Sequence, residues 1–374
     1  MFKDLFKNYI YPIVVFSGGM IGVGFLSLPY IAMKAGIWIV FLYFLVVTFL
    51  VIAINSIFCQ ISLKTPDYKR FPGFVGYYLG KWAKVISFFS IILGTVGVLL
   101  VYLLVAGEFL TALFAPFFGG NIITHIIIYF FIVSIIIYFD IKVVSKVQFG
   151  VIAALLLFIF LIFIEGFSQI KVSNIFSINW KMGLANFFLP YGSLLFALWG
   201  VGLIPEVEEM LGKQKKRLKS VIIISTIAVS IFYLLFTILI LGITGNYTNQ
   251  TALSGLTGFL PNVLVLVSLF IGVLVTFVAF VSQGIVFKKT LMFDLKIKHW
   301  QAFVMTCCPP LILFLIGFKD FIPLISIIGG VSLGINGILI LLMYKKIGGK
   351  NIIIYPLSLV FLLGVIYEII YFIK

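Results

Sequence analysis

Eleven apolar runs of membrane-spanning length, separated by short polar or basic links, leave this chain few residues with which to build anything else. A helix crossing a hydrocarbon layer of about 30 Å needs about 20 apolar residues, because each residue rises about 1.5 Å. The runs lie near 10–33, 37–61, 85–115, 122–139, 147–164, 184–205, 220–244, 262–287, 302–318, 321–344 and 352–372. Of 374 residues, 63% are hydrophobic and 10% are charged, whereas a soluble domain carries roughly 25% charged residues. A soluble fold has no interior large enough for that surplus. The expected class is an all-α integral membrane protein, one transmembrane domain over residues 1–374, with the lipid bilayer as its solvent. The run at 10–33 is too long for the core of a secretory signal and reads as a first span retained in the mature protein.

The formal charge of +15 invites a nucleic-acid reading, but its placement argues against one. If the N-terminus is cytoplasmic, 21 basic residues fall on the inside, including Lys3, Lys7, Lys142 and the Lys213 to Lys219 cluster. Five fall outside: Lys34, Lys171, Lys181, Lys319 and Lys374. One missed or invented span would scramble that split, so it supports the span count and the orientation together. The expectation is a multi-pass protein of the cell (plasma or inner) membrane, N-terminus cytoplasmic and C-terminus outside, with no nucleic-acid partner. Cys59, Cys307 and Cys308 lack disulfide or metal spacing and read as small apolar helix residues.

Two runs contain residues that oppose a continuous helix. The first holds Gly18, Gly19, Gly22 and Gly24 within seven positions. Each costs about 1 kcal/mol of helix stability relative to alanine. Unwound backbone at membrane depth is tolerated only beside protein or a wet cavity. A second reading stands beside this one: Gly18 and Gly22 have the spacing of a close helix contact, which leaves Gly19 and Gly24 unexplained. The sixth run repeats the pattern with Pro190, Gly192, Gly200, Gly202 and Pro205. Paired interruptions at corresponding places in two halves point to the binding site of a secondary transporter. The halves, about 10–164 and 184–344, hold five runs each. An odd number makes the second half enter from the opposite side, giving a 5+5 inverted repeat with an extra helix at about 352–372.

At these residues the chain resembles the amino acid/auxin permease family, including bacterial aromatic amino acid permeases, within the amino acid–polyamine–organocation superfamily. The segment GVGFLSLPYIAMKAG is similar to that family's glycine-rich opening, and FALWGVGLIPEVEEM is similar to its sixth-span Pro-Glu segment. VYLLVAGEFL is similar to a stretch in its third span. The resemblance implies a leucine-transporter-like fold and amino acid transport.

In a broken first helix, the outer half beginning near Gly22, Val23 and Gly24 offers free backbone N–H groups and a positive dipole end to a carboxylate. Gly19 lies beside it. Freed carbonyls around Phe196, Ala197 and Leu198 are candidates to accept from an ammonium, and Gly200 in the same break is a further candidate substrate-binding residue. Phe196 and Trp199 read either as walls of the side-chain pocket or as packing aromatics. Tyr102 lies about 27 Å along its helix from Lys84, deep enough to reach a ligand or simply to pack. The coupling ion, Na+ or H+, stays open, and no other cofactor is called for. A sodium site would draw on carbonyls of Gly19 and Met20 with the Thr276 hydroxyl, which reads equally as a helix hydroxyl bonded to its own backbone. Glu108 stands apart from charged flanks but near the outer interface. Glu206, Glu208 and Glu209 with the following lysines form a gating or merely solvated link.

No acid–base pair falls on one buried face, so an enzyme is not expected. The functional expectation is secondary active transport of amino acids by ion-coupled alternating access. A non-transporting amino acid sensor on the same fold is the alternative.

Overall fold

A computed structural model of the chain describes residues 9–66, 69–139, 143–176, 183 and 185–373. Lys3, Asp4, Lys7, Asp67, Asp140, Lys142, Lys181, Lys374 and position 184 lie outside the described residues. Among the described residues the regular structure is helical, apart from an isolated bridge between Thr257 and Leu260.

Among the described residues, seven helical stretches are long and apolar enough to cross a membrane: Ile37–Lys64, Lys81–Phe118, Gly150–Gln169, Leu189–Tyr247, Asn262–Phe293, Phe321–Lys346 and Asn351–Phe372. The pair Tyr11–Met20 and Val23–Ala35, bent by 52° at the break, makes an eighth. Ile122–Tyr138 and His299–Leu315 are apolar but only 17 residues long. Leu189–Tyr247 joins a second broken helix to the helix Leu218–Thr244. The chain turns sharply where glycine permits it. Gly36 (φ 95°) separates Leu28–Ala35 from Ile37–Lys64 in a conformation that would strain a side chain.

Several helices outrun the apolar runs. Lys81–Phe118 begins four residues before the expected 85, and Asn262–Asp294 carries Lys288 and Lys289, which the sequence places in a link. Charge marks where lipid ends, but a helix continues through the interface because lysine is a good helix former. Lys288 is fully buried and donates to the carbonyls of Ile137 (2.6 Å) and Tyr138 (3.2 Å), the open C-terminal end of Ile122–Tyr138. A cation there satisfies orphan carbonyls and opposes the helix dipole.

Tyr11–Met20, Ile37–Lys64 and Leu218–Thr244 pack together, as do Lys81–Phe118, Val143–Gly166, Asn262–Asp294 and His299–Leu315. The half-helix Leu189–Leu198 lies against Ile37–Lys64, the second half of the first broken helix (Val23–Ala35) and the segment Ile328–Leu333. Large apolar side chains such as Phe49, Phe89 and Phe160 point outward, as a lipid-facing surface allows.

Candidate substrate-binding site

The first break is a short piece of extended backbone. Tyr11–Met20 ends where Ile21 (φ −75°, ψ 98°) and Gly22 (φ −126°, ψ −163°) leave helical geometry, and a 3₁₀ turn, Val23–Ser27, restarts it. The amides of Val23 and Gly24 therefore open the second half with no helical turn before them, while the Gly22 amide meets the Tyr233 hydroxyl. Ser27 Oγ donates to the Gly24 carbonyl at 2.7 Å and braces the restart. In the second broken helix, Leu189–Leu198 ends at Trp199 (φ −70°, ψ 119°) and Gly200 (φ −123°, ψ 3°). The chain resumes through Val201–Leu203 into Ile204–Leu211. Pro190 and Pro205 stand in the first turns of helices, where the missing N–H costs nothing. Trp199 and Gly200 make the break.

The two breaks touch. A Cβ at Gly24 would lie 2.7 Å from Phe196 Cδ1 and 3.2 Å from Ala197 Cα, and one at Gly19 would lie 2.7 Å from Leu203 Cδ1. Tyr233, fully buried, donates its hydroxyl to the Met20 carbonyl (3.0 Å) and reaches the Ala197 carbonyl at 3.5 Å, so one phenol ties both breaks together. Phe25 stacks on the Tyr233 ring at 5.3 Å. Gly18 faces Ile152 while Gly22 faces the Tyr102 hydroxyl, so the two do not share the single partner that a helix contact motif requires.

A cavity of about 230 Å³ lies at this junction. Gly19, Met20, Gly22, Val23, Gly24, Tyr102, Phe196, Ala197 and Trp199 all line it. Gly200 does not: its Cβ position is taken up by the Phe16 ring (2.7 Å) and the Asn55 amide (3.4 Å). Four polar lining residues, Thr95, Gln283, Ser332 and Asn336, come from helices that the sequence marks only as apolar. Ser332 belongs to a π-helical segment, Ile328–Leu333, an irregularity frequent at functional sites. Reciprocal bonds from Ser90 Oγ to the Ser332 carbonyl (2.8 Å) and from Ser332 Oγ to the Ser90 carbonyl (2.7 Å) fasten it to Lys81–Phe118. Asn336 Oδ1 is buried without a hydrogen-bond partner.

None of the lining residues carries a formal charge. A net charge in such a space would lose its water without a counter-charge. The amides of Val23 and Gly24 lie at one break and the Ala197 carbonyl at the other, partial charges of opposite sign on the two sides of one space. Of the residues drawn into a sodium site, Thr276 is fully buried and donates to the Val273 carbonyl (2.8 Å), and the Met20 carbonyl accepts from Tyr233. Both oxygens thus have partners within the fold.

The acids divide. Glu108 accepts from Thr251 (2.7 Å) and Ser254 (2.6 Å) in the connection before Asn262–Asp294. Glu208 is buried, accepts from Ser62 and pairs with Lys215 at 2.8 Å, so this part of the charged link is not simply solvated. Glu368, in Asn351–Ile373, is 1% exposed. Its nearness to the end of the last apolar run hides it among terminal residues, but an acid inside a run of that length is itself a signal.

A family model described as the tryptophan/tyrosine permease family matches residues 7–346. A search of curated proteins finds no significant match. Among solved structures, the crystal structure of MhsT in complex with L-phenylalanine is similar to this chain, with a TM-score of 0.65 at 13% identity. The match covers 96% of this chain and 97% of that one. It shows a leucine-transporter-like fold, and with it an all-α multi-pass membrane architecture.

Proposed function

The chain belongs to the tryptophan/tyrosine permease family, and from that premise we propose that it is a secondary transporter of aromatic amino acids driven by an ion gradient. Amino acid transport itself is supported by the family and by the fold of an amino acid-bound neighbour. The observation that carries the narrower reading is the uncharged cavity between two touching helix breaks, walled by Tyr102, Phe196 and Trp199. Amides of Val23 and Gly24 receive the carboxylate, carbonyls near Ala197 receive the ammonium, and the aromatic walls receive the ring. The Gly19, Met20 and Thr276 oxygens are the sodium candidates, and proton coupling is the competing arm.

Turnover would proceed by alternating access, with residues about 10–164 and 184–344 as inverted repeats and the helix at about 352–372 outside them. We place the N-terminus in the cytoplasm of a cell membrane and the C-terminus outside, and the family within the amino acid–polyamine–organocation superfamily. Nothing in this scheme calls for an enzyme. Counterflow tests it: vesicles reconstituted with the protein and loaded with unlabelled L-tryptophan should take up labelled L-tryptophan, L-tyrosine or L-phenylalanine. Binding without counterflow would instead identify a sensor, and neither would remove aromatic amino acids as the substrate class.

A further inference from the structure

Glu368 is a carboxyl group enclosed by parts of the protein that also shape the substrate cavity. A Cβ built at Gly192, in the half-helix Leu189–Leu198, would meet Glu368 Oε1, and one built at Gly330, in Ile328–Leu333, would meet Glu368 Cγ. Gly329 packs on the Gly192 carbonyl at the same joint. Two of these three glycines thus leave the room that the carboxyl fills. On its other side the joint faces substrate space: Phe196 lies four residues past Gly192, and Ile328 and Ser332 flank Gly330, and all three line the cavity.

The carboxyl is poorly served for a charge. Glu368 Oε1 has no hydrogen-bond partner, and neither has the hydroxyl of Tyr191, which faces it. The Gly192 amide of the broken helix donates one hydrogen bond to the carboxyl, and its other polar neighbours are Tyr43 from Ile37–Lys64 and Tyr367 and Tyr371 from its own helix. Ile328–Leu333 contributes no ionisable side chain. A crevice of about 720 Å³, lined by Tyr367, Tyr371 and Leu324, passes close by and holds Lys319 and Asp320. An ionised carboxylate shut in this joint would give up its water without gaining a counter-ion, so the closed joint favours the neutral acid. Opening the joint toward the crevice returns water and permits the charge.

We propose that Glu368 is a proton-binding site coupled to the cavity, taking a proton from water as Leu189–Leu198 and Ile328–Leu333 close on Asn351–Ile373 and returning it to water when they part. Substrate that favours the closed joint then binds with a proton, and a proton promotes substrate binding by the same factor. This rests on the reading of the cavity as an amino acid site.

The test is equilibrium binding of labelled L-tryptophan, L-tyrosine and L-phenylalanine to the purified full-length protein from pH 5 to pH 9. Wild type should lose affinity with rising pH, approaching tenfold per unit where Glu368 titrates, and Glu368→Gln should bind with a flat profile. Reconstituted E368Q should keep counterflow but lose accumulation driven by a proton gradient. Should E368Q not be recovered folded, E368D supplies the readout, because withdrawing the carboxyl from Gly330 must move the midpoint of the profile. A flat wild-type profile, a wild-type slope in E368Q or an unmoved midpoint in E368D overturns the proposal. Binding that is independent of pH overturns it alone, whereas no binding of any of the three at any pH removes the transport reading and this proposal with it.

Discussion

Replacing Gly24 by alanine probes the contact on which the site depends. The new Cβ would lie 2.7 Å and 2.9 Å from Phe196 Cδ1 and Cε1, and 3.2 Å from Ala197 Cα. Carbon atoms pack at about 3.5–4.0 Å, so the ring must retreat by about 1 Å and the Ala197 backbone by a few tenths. Phe196 lines the cavity, so it can retreat only into substrate space or by forcing the breaks apart. Overpacking of this kind costs about 1–3 kcal/mol. If it falls on the occupied cavity, affinity drops between about fivefold and about a hundredfold, at 1.4 kcal/mol per tenfold. Gly202→Ala is the matched control, because a Cβ there meets nothing within 4 Å. Binding of labelled aromatic amino acids to both variants, with thermal unfolding to confirm the fold, gives the comparison. A folded Gly24→Ala protein binding like wild type would refute the claim that the Gly24 and Phe196 contact shapes the site.

Other perturbations follow from the same geometry. Tyr233→Phe removes the donor to the Met20 carbonyl, and a buried acceptor left without its partner should cost about 1–3 kcal/mol, seen as earlier thermal unfolding and weaker binding. Asn336→Ala removes a buried acceptor in the cavity that has no partner within the fold. Competition binding should show a larger loss for tryptophan and tyrosine, which carry an N–H or O–H on the ring system, than for phenylalanine. Lys288→Met takes the cation from the carbonyls of Ile137 and Tyr138 and should lower thermal stability by about 1–3 kcal/mol while leaving relative substrate preference unchanged.

The breaks were legible because glycine and proline act locally: Gly22 and Gly200 sit where the backbone leaves the helix. The partners around the breaks were not. Tyr233 meets Met20 from 213 positions away, and no local signal distinguishes it from the other 16 tyrosines. Thr95, Gln283, Ser332 and Asn336 are single polar residues in helices apolar on every side, where amphipathic periodicity offers no face to read. The place of Gly200 in the break points it toward the cavity, but the break faces two ways and this residue packs on Phe16. Lys288 read as a link residue because charge ends an apolar run, yet its burial depends on a neighbouring helix ending beside it. Glu368 is obscured for the opposite reason, since it lies close to the end of the last run although its helix carries it into the joint between Gly192 and Gly330.

Accumulation of labelled L-tryptophan in proteoliposomes carrying an imposed proton gradient, acidic outside, tests the central claim most directly, with a sodium gradient as the parallel arm. The account predicts uptake above the external concentration that collapses when the driving gradient is dissipated and that unlabelled tyrosine or phenylalanine competes away. Uptake that never exceeds equilibration under either gradient, from protein that binds the amino acid, would contradict it.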